Sequence, residues 1–125
     1  MTSRTTAIEV KNFDAPDEAR PFERHGELRL VTVAGTEIGL ARFEPGWRWS
    51  DDVKPIAATE SCELPHFLYV ISGRMRVVMD DGGEVELRPG DVAAIPSGHD
   101  AEVIGDEPCI TVDIGEEDAD YPTRG

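Results

Sequence analysis

The chain has 125 residues, 39% hydrophobic and 30% charged, with a formal net charge of −14, which suits one domain with its own core and leaves nothing over for a second. Its apolar runs are far too short for a membrane-spanning helix, and residues 1–6 lack the apolar stretch of a signal peptide, so the expected location is the cytoplasm. So acidic a chain has the wrong sign for nucleic acid or an anionic membrane, and neither is expected as a partner; the acid reads as a solvated, solubilising surface.

In chain order, residues 1–27 read as an N-terminal arm. Residues 7–11 are short and β-prone enough for an edge strand, and residues 17–20, Asp-Glu-Ala-Arg, suit one helical turn between Pro16 and Pro21. Strands are expected at 28–33 and 37–43, with Gly35 marking the turn between them. The stretch 47–59 contains Pro55 and little periodicity and reads as an irregular loop, a common carrier of function.

Residues 60–73, Glu-Ser-Cys-Glu-Leu-Pro-His-Phe-Leu-Tyr-Val-Ile-Ser-Gly, are the most informative part of the chain. Side chains alternate along a strand, so Glu60, Cys62, Leu64 and His66 share a face. A carboxylate, a thiol and an imidazole on one face are all groups that bind divalent metals. The apolar run 67–71 ends at Ser72-Gly73, and residues 74–79 alternate again, which predicts a hairpin. Asp80-Asp81-Gly82-Gly83 is a second turn, returning through 84–87. Further short strands follow at 92–95, 99–104 and 109–114, and residues 115–125 form an acidic tail. Short strands between Gly/Pro turns every eight to twelve residues predict an all-β sandwich or barrel.

Two spacings carry a resemblance to the cupin superfamily. Glu60-x-Cys62, three residues, His66, six residues, Gly73 fits the second half of the first cupin motif. Gly90, five residues, Pro96-x-Gly98 fits the second motif up to its second glycine. The resemblance covers residues 28–114 and implies a single-domain jelly-roll β-barrel, and commonly a homodimer, with the edge at 7–11 available to a partner's sheet. It also implies a metal site, but with an altered ligand set. Glu60 and Cys62 stand where the family has His-x-His, His66 stands where it has Glu, and the last histidine place falls on Ala101, two residues after His99. The segment between Gly46 and Glu60 is longer than the motif allows.

His66, His99, Cys62 and Glu60 are therefore the candidate metal ligands, and they suit zinc, iron or nickel better than calcium or magnesium. The bland alternatives are a buried histidine with a carboxylate or carbonyl partner, a turn-capping histidine, a small interior thiol and a solvated glutamate. Cys62 and His66 lie about 13 Å apart on an ideal strand, so sharing an ion requires a bend near Pro65. Trp47 and Trp49 alternate and either pack the loop or line a pocket for a flat or apolar ligand, with Tyr69 beside them and Arg48, Lys54 or Arg74 available to a carboxylate. Cys109 reads as a small buried hydrophobe, and His25 as a surface residue outside every motif. No phosphate loop and no nucleophile elbow is present, and no catalytic residue is assigned. Two functions follow: a small-molecule-binding domain with a divalent metal as an optional occupant, or a metal-dependent dioxygenase, isomerase or lyase acting on a small organic acid. A purely structural dimerisation module accounts less well for interior polar residues.

Overall fold

The computed structural model describes residues 7–22, 25–52 and 66–114. Lys54, Glu60 and Cys62 and the acidic tail lie outside the described residues. Nine strands are found among the described ones: β1 (Glu18–Pro21), β2 (Gly26–Val33), β3 (Thr36–Phe43), β4 (His66–Ser72), β5 (Arg74–Met79), β6 (Glu84–Leu87), β7 (Val92–Ile95), β8 (His99–Ile104) and β9 (Cys109–Ile114). One helical turn, α1 (Trp49–Asp52), follows β3. The strands form a six-stranded sheet ordered β1-β2-β3-β9-β4-β7 and a three-stranded sheet ordered β6-β5-β8, with antiparallel pairing throughout. No helix among the described residues is long and apolar enough to cross a membrane.

The period of two sets which side chains face inward. Along β4, Leu68 and Val70 are buried while Phe67, Tyr69 and Ile71 are exposed. His99, Ala101 and Val103 of β8 and Cys109, Thr111 and Asp113 of β9 are likewise buried on alternate positions. These inner faces, with Leu28, Leu30, Ala41 and Phe43 opposite Met75 and Val77, make one core between the sheets. The β2–β3 hairpin closes through Ala34 (φ 50°) and Gly35 (φ 80°), the two left-handed residues of a type I′ turn, whose twist matches that of the strands.

Three expectations change at the level of tertiary structure. Residues 7–11 form no strand; Ile8 and Val10 are almost fully exposed, and the arm is held instead by the Glu9 carboxylate accepting from the Ala34 N–H at 2.8 Å and by Lys11 on Asp17 at 2.8 Å. The large sheet's edges are β1 and β7, and residues 18–20 are extended where a helical turn was expected, because their backbone pairs with residues 28–30. Finally, β4 and β5 are not a hairpin. β4 pairs with β7 and β9, whereas β5 pairs with β6 and β8, so the chain changes sheets at Gly73. A Cβ there would stand 2.1 Å from the Pro108 carbonyl oxygen, and φ is 78°. The turn signal was real, but the close approach of the 108–109 backbone directs the chain across the core instead of back along β4.

Candidate functional site

Polar side chains converge at one end of the core. His66 and His99 come from β4 and β8, on opposite sheets, and their ring centroids are 5.2 Å apart in an edge-to-face arrangement. Asp113 enters from β9, directly opposite Leu68 in the ladder and hence diagonal to His66. Its Oδ2 lies 3.7 Å from His66 Nδ1, an ion-pair distance for a protonated ring and longer than a hydrogen bond. The other oxygen, Oδ1, accepts a 2.6 Å hydrogen bond from the Thr111 hydroxyl, in a fully buried pair.

His99 is only 3% exposed, and its Nδ1 is 2.9 Å from the Pro96 carbonyl oxygen. A carbonyl only accepts, so Nδ1 carries the hydrogen, and in the neutral ring Nε2 is a bare acceptor. The turn at Pro96-x-Gly98 therefore sets both the orientation and the tautomer of this imidazole.

The tryptophans arrive from the segment before α1. Trp47 O accepts from Val103 N at 2.9 Å, Arg48 bridges to Glu102 in the backbone and through a 2.9 Å ion pair, and Ser50 N donates to Asp100 Oδ1 at 3.1 Å. Pinned to β8 in this way, the segment turns Arg48 outward and buries Trp47 and Trp49 to 3% and 2% exposure. Phe22, Phe43 and Trp47 form an aromatic wall with centroid separations of 5.6 and 4.5 Å. Both indole Nε1 atoms are buried and have no hydrogen-bond partner among the described residues. These side chains line a cavity of about 30 Å³, otherwise walled by apolar groups such as Leu28, Met75 and Ile95, with room for about two water-sized atoms as it stands.

The structure thus brings together His66, His99, Trp47 and Trp49. Tyr69 is 45% exposed on the outer face, because odd positions of β4 point away from the core. Arg74 is exposed and paired with Glu86 at 3.2 Å; Arg48 pairs with Glu102. None of these three lines the cavity. Cys109 is fully buried and its thiol is pushed up to about 12, by burial first and then by the charge of Asp113, which suits an inert interior group. His25 is half-buried and lies beside Gly46, away from the cavity. Asp113 and Thr111 were not singled out in the sequence. The signal was their shared parity with Cys109, hidden because 109–114 reads as an ordinary apolar strand.

Among the described residues no three His, Cys, Asp or Glu side chains are grouped to hold an ion, and two of the four candidate ligands, Glu60 and Cys62, lie outside those residues. His99 donates Nδ1–H to a carbonyl, the arrangement usual for an imidazole that ligates through Nε2, and Ala101 holds the place that the resemblance gives to a ligand.

Residues 58–115 match the cupin domain family. The chain carries a cupin domain. Among solved structures, the cupin is similar to a sugar phosphate isomerase of the cupin superfamily from Silicibacter pomeroyi, with 22% identity and a TM-score of 0.58 over 85% of this chain and 74% of that one. It is similar to the polyketide cyclase RemF from Streptomyces resistomycificus, with 18% identity and a TM-score of 0.60 over 86% and 78% of the two chains. A cupin-like protein from Thermotoga maritima aligns at 19% identity and a TM-score of 0.51, over 74% and 68%. At these identities the likeness is one of fold. Among curated proteins none matches the sequence.

Proposed function

We propose that this cupin is a cytoplasmic small-molecule-binding protein whose ligand sits between the sheets, against His66, His99 and Asp113. One observation carries this reading: two imidazoles and a carboxylate converge beside two tryptophans in an otherwise apolar cavity. A few convergent polar groups in an otherwise apolar cavity are the default ligand site. Screening small polar compounds by thermal shift tests it. A ligand should raise the melting temperature by mass action, and His66→Ala and His99→Ala should each abolish the response while His25→Ala retains it. A response that survives both cavity substitutions places the ligand elsewhere.

The alternative, a metal-dependent enzyme acting on a small organic acid, needs ligands beyond those that the described residues group together. Elemental analysis of protein purified without an affinity tag distinguishes the two: stoichiometric zinc, iron or nickel would favour the enzyme. The homodimer is part of the same proposal. Its support is the exposed apolar row Phe67, Tyr69, Ile71 and Val92 on the outer face of β4 and β7, in place of the edge at 7–11. A single-chain sedimentation mass at micromolar concentration would remove it.

A further inference from the structure

Resting on the cavity as the ligand site, we infer that the ligand is a slender amphiphile, with an apolar chain lying in the opening between the two sheets and a polar end of one or two heavy atoms reaching the cavity. The large sheet ends at β7 and the small one at β6, and no strand among the described residues closes the gap between these edges. Val85 and Leu87 of β6 stand opposite the buried Val77 and Met75 in the β5–β6 ladder, so both are on the inner face. Leu87 is 5% exposed but Val85 is 58% exposed, an inner-face side chain that no described element covers. Val85 lines an apolar groove of about 410 Å³ whose walls come from both sheets and include Met79, Leu87, Ala93 and Ile95. The groove's charged wall residue, Glu84, is 3.7 Å from Arg76, so its charge is offset.

Groove and cavity share a partition, since Val77 and Ile95 line both. Register puts the histidines just behind it. Ile95 is directly opposite His66 in the β4–β7 ladder, and Met79 is directly opposite His99 in the β5–β8 ladder; such pairs stand about 5 Å apart on one face. The cavity by itself has room for about two water-sized atoms. A chain lying in the groove needs to place only its terminal carbon and oxygen there, between Val77 and Ile95. A passage two side chains wide suits a linear chain better than a ring, and the half-buried Met79 is unbranched and adaptable enough to pack along it. With Nδ1 donating to Pro96 O, His99 offers Nε2 as the acceptor for a terminal hydroxyl.

The methyl resonances of Met79, Val85 and Ile95 in carbon-13-labelled protein report on the groove. The probes are 1-butanol, 1-hexanol and 1-methoxypentane, the isomer of 1-hexanol whose oxygen is capped. 1-Hexanol should shift the three methyls saturably and bind roughly tenfold more tightly than 1-butanol, for two more methylenes buried. 1-Methoxypentane should bind roughly fivefold more weakly than 1-hexanol, for loss of the donor and a bulkier end, and His99→Ala should bring the two within about twofold. Val85→Asp puts a charge in the groove at an exposed position and should weaken 1-hexanol at least roughly tenfold with little change in the urea midpoint. Undiminished binding to Val85→Asp overturns the groove as the chain's place. Alcohol and ether binding equally to the wild-type protein overturns the joined site, since the chain then ends in the groove. Methyls silent toward both alcohols overturn the amphiphile, whereas the cavity reading fails separately, on a thermal-shift response to polar compounds that survives His66→Ala and His99→Ala. The wild-type measurements decide the matter even if His99→Ala does not fold.

Discussion

His66 Nδ1 and Asp113 Oδ2 stand 3.7 Å apart on neighbouring strands, diagonal across a ladder in which Asp113 is directly opposite Leu68. The carboxylate is held from its other side by the Thr111 hydroxyl at 2.6 Å. The three side chains form a buried polar row through the large sheet's inner face, and removing any member leaves its neighbour with an unmet demand.

Thr111→Val should therefore lower the unfolding free energy by about 1–3 kcal/mol, the cost of stranding a buried acceptor. Thr111→Ser, which keeps the hydroxyl, should lose less. Urea midpoints measure both. No loss for Thr111→Val would show that the hydroxyl's bond to Asp113 adds nothing net to stability.

Gly73→Ala should be among the most damaging single substitutions. Its new Cβ would meet backbone, the Pro108 carbonyl oxygen at 2.1 Å and Cys109 Cα at 2.5 Å, at φ 78°, and backbone cannot give way as a side chain can. A loss of about 3 kcal/mol or more is expected. Gly82→Ala has φ 96° but nothing within 4 Å, so it should cost only about 1 kcal/mol. Similar losses at the two positions would show that the sheet crossing is looser than the structure has it.

Cys109 sets a pH dependence. Its thiol lies at about 12 in the folded protein against an ordinary 9.0. Below pH 9 both folded and unfolded chains keep the proton and stability is unaffected. Between about pH 9 and 12 the unfolded chain loses its proton first, so stability should fall by up to about 1.4 kcal/mol per pH unit. In a Cys62→Ser background, where Cys109 is the remaining cysteine, adding Cys109→Ala should flatten this slope. In the same background, thiol reagents should react no faster than the protein unfolds.

Asp100 holds the segment that carries the tryptophans, through the Ser50 N–H at 3.1 Å. Asp100→Ala should increase acrylamide quenching of tryptophan fluorescence while costing about 1 kcal/mol of stability. Unchanged quenching would mean that the Trp47–Val103 bond and the aromatic wall hold the segment by themselves.

Local pattern was enough for most of the fold. The period of two placed the strands from 28 to 114, because alternation of apolar and polar residues is read within a few positions of each residue. The Pro-x-Gly turn and the spacing from His66 to Gly73 identified the family, since those residues are required by local backbone shape. The same locality explains the errors. A turn at Ser72-Gly73 looks alike whether the next strand pairs with the last or crosses to another sheet, and only the backbone at Pro108 and Cys109 decides between them.

The site divides along the same line. His66 and His99 stood out as imidazoles at inward parity, and the alternation of Trp47 and Trp49 put them together. Their partners depended on contacts between residues distant in sequence. Asp113 meets His66 because β9 lies between β3 and β4 in the sheet, Arg48 turns away because Glu102 takes it, and Tyr69 faces out because β4 presents its even positions to the core. The sequence by itself determined the strands, the turns and the inward histidines, since those follow from backbone geometry over a few residues. Which polar groups share the cavity with the histidines was decided only by strand order and register, which depend on the packing of the whole chain.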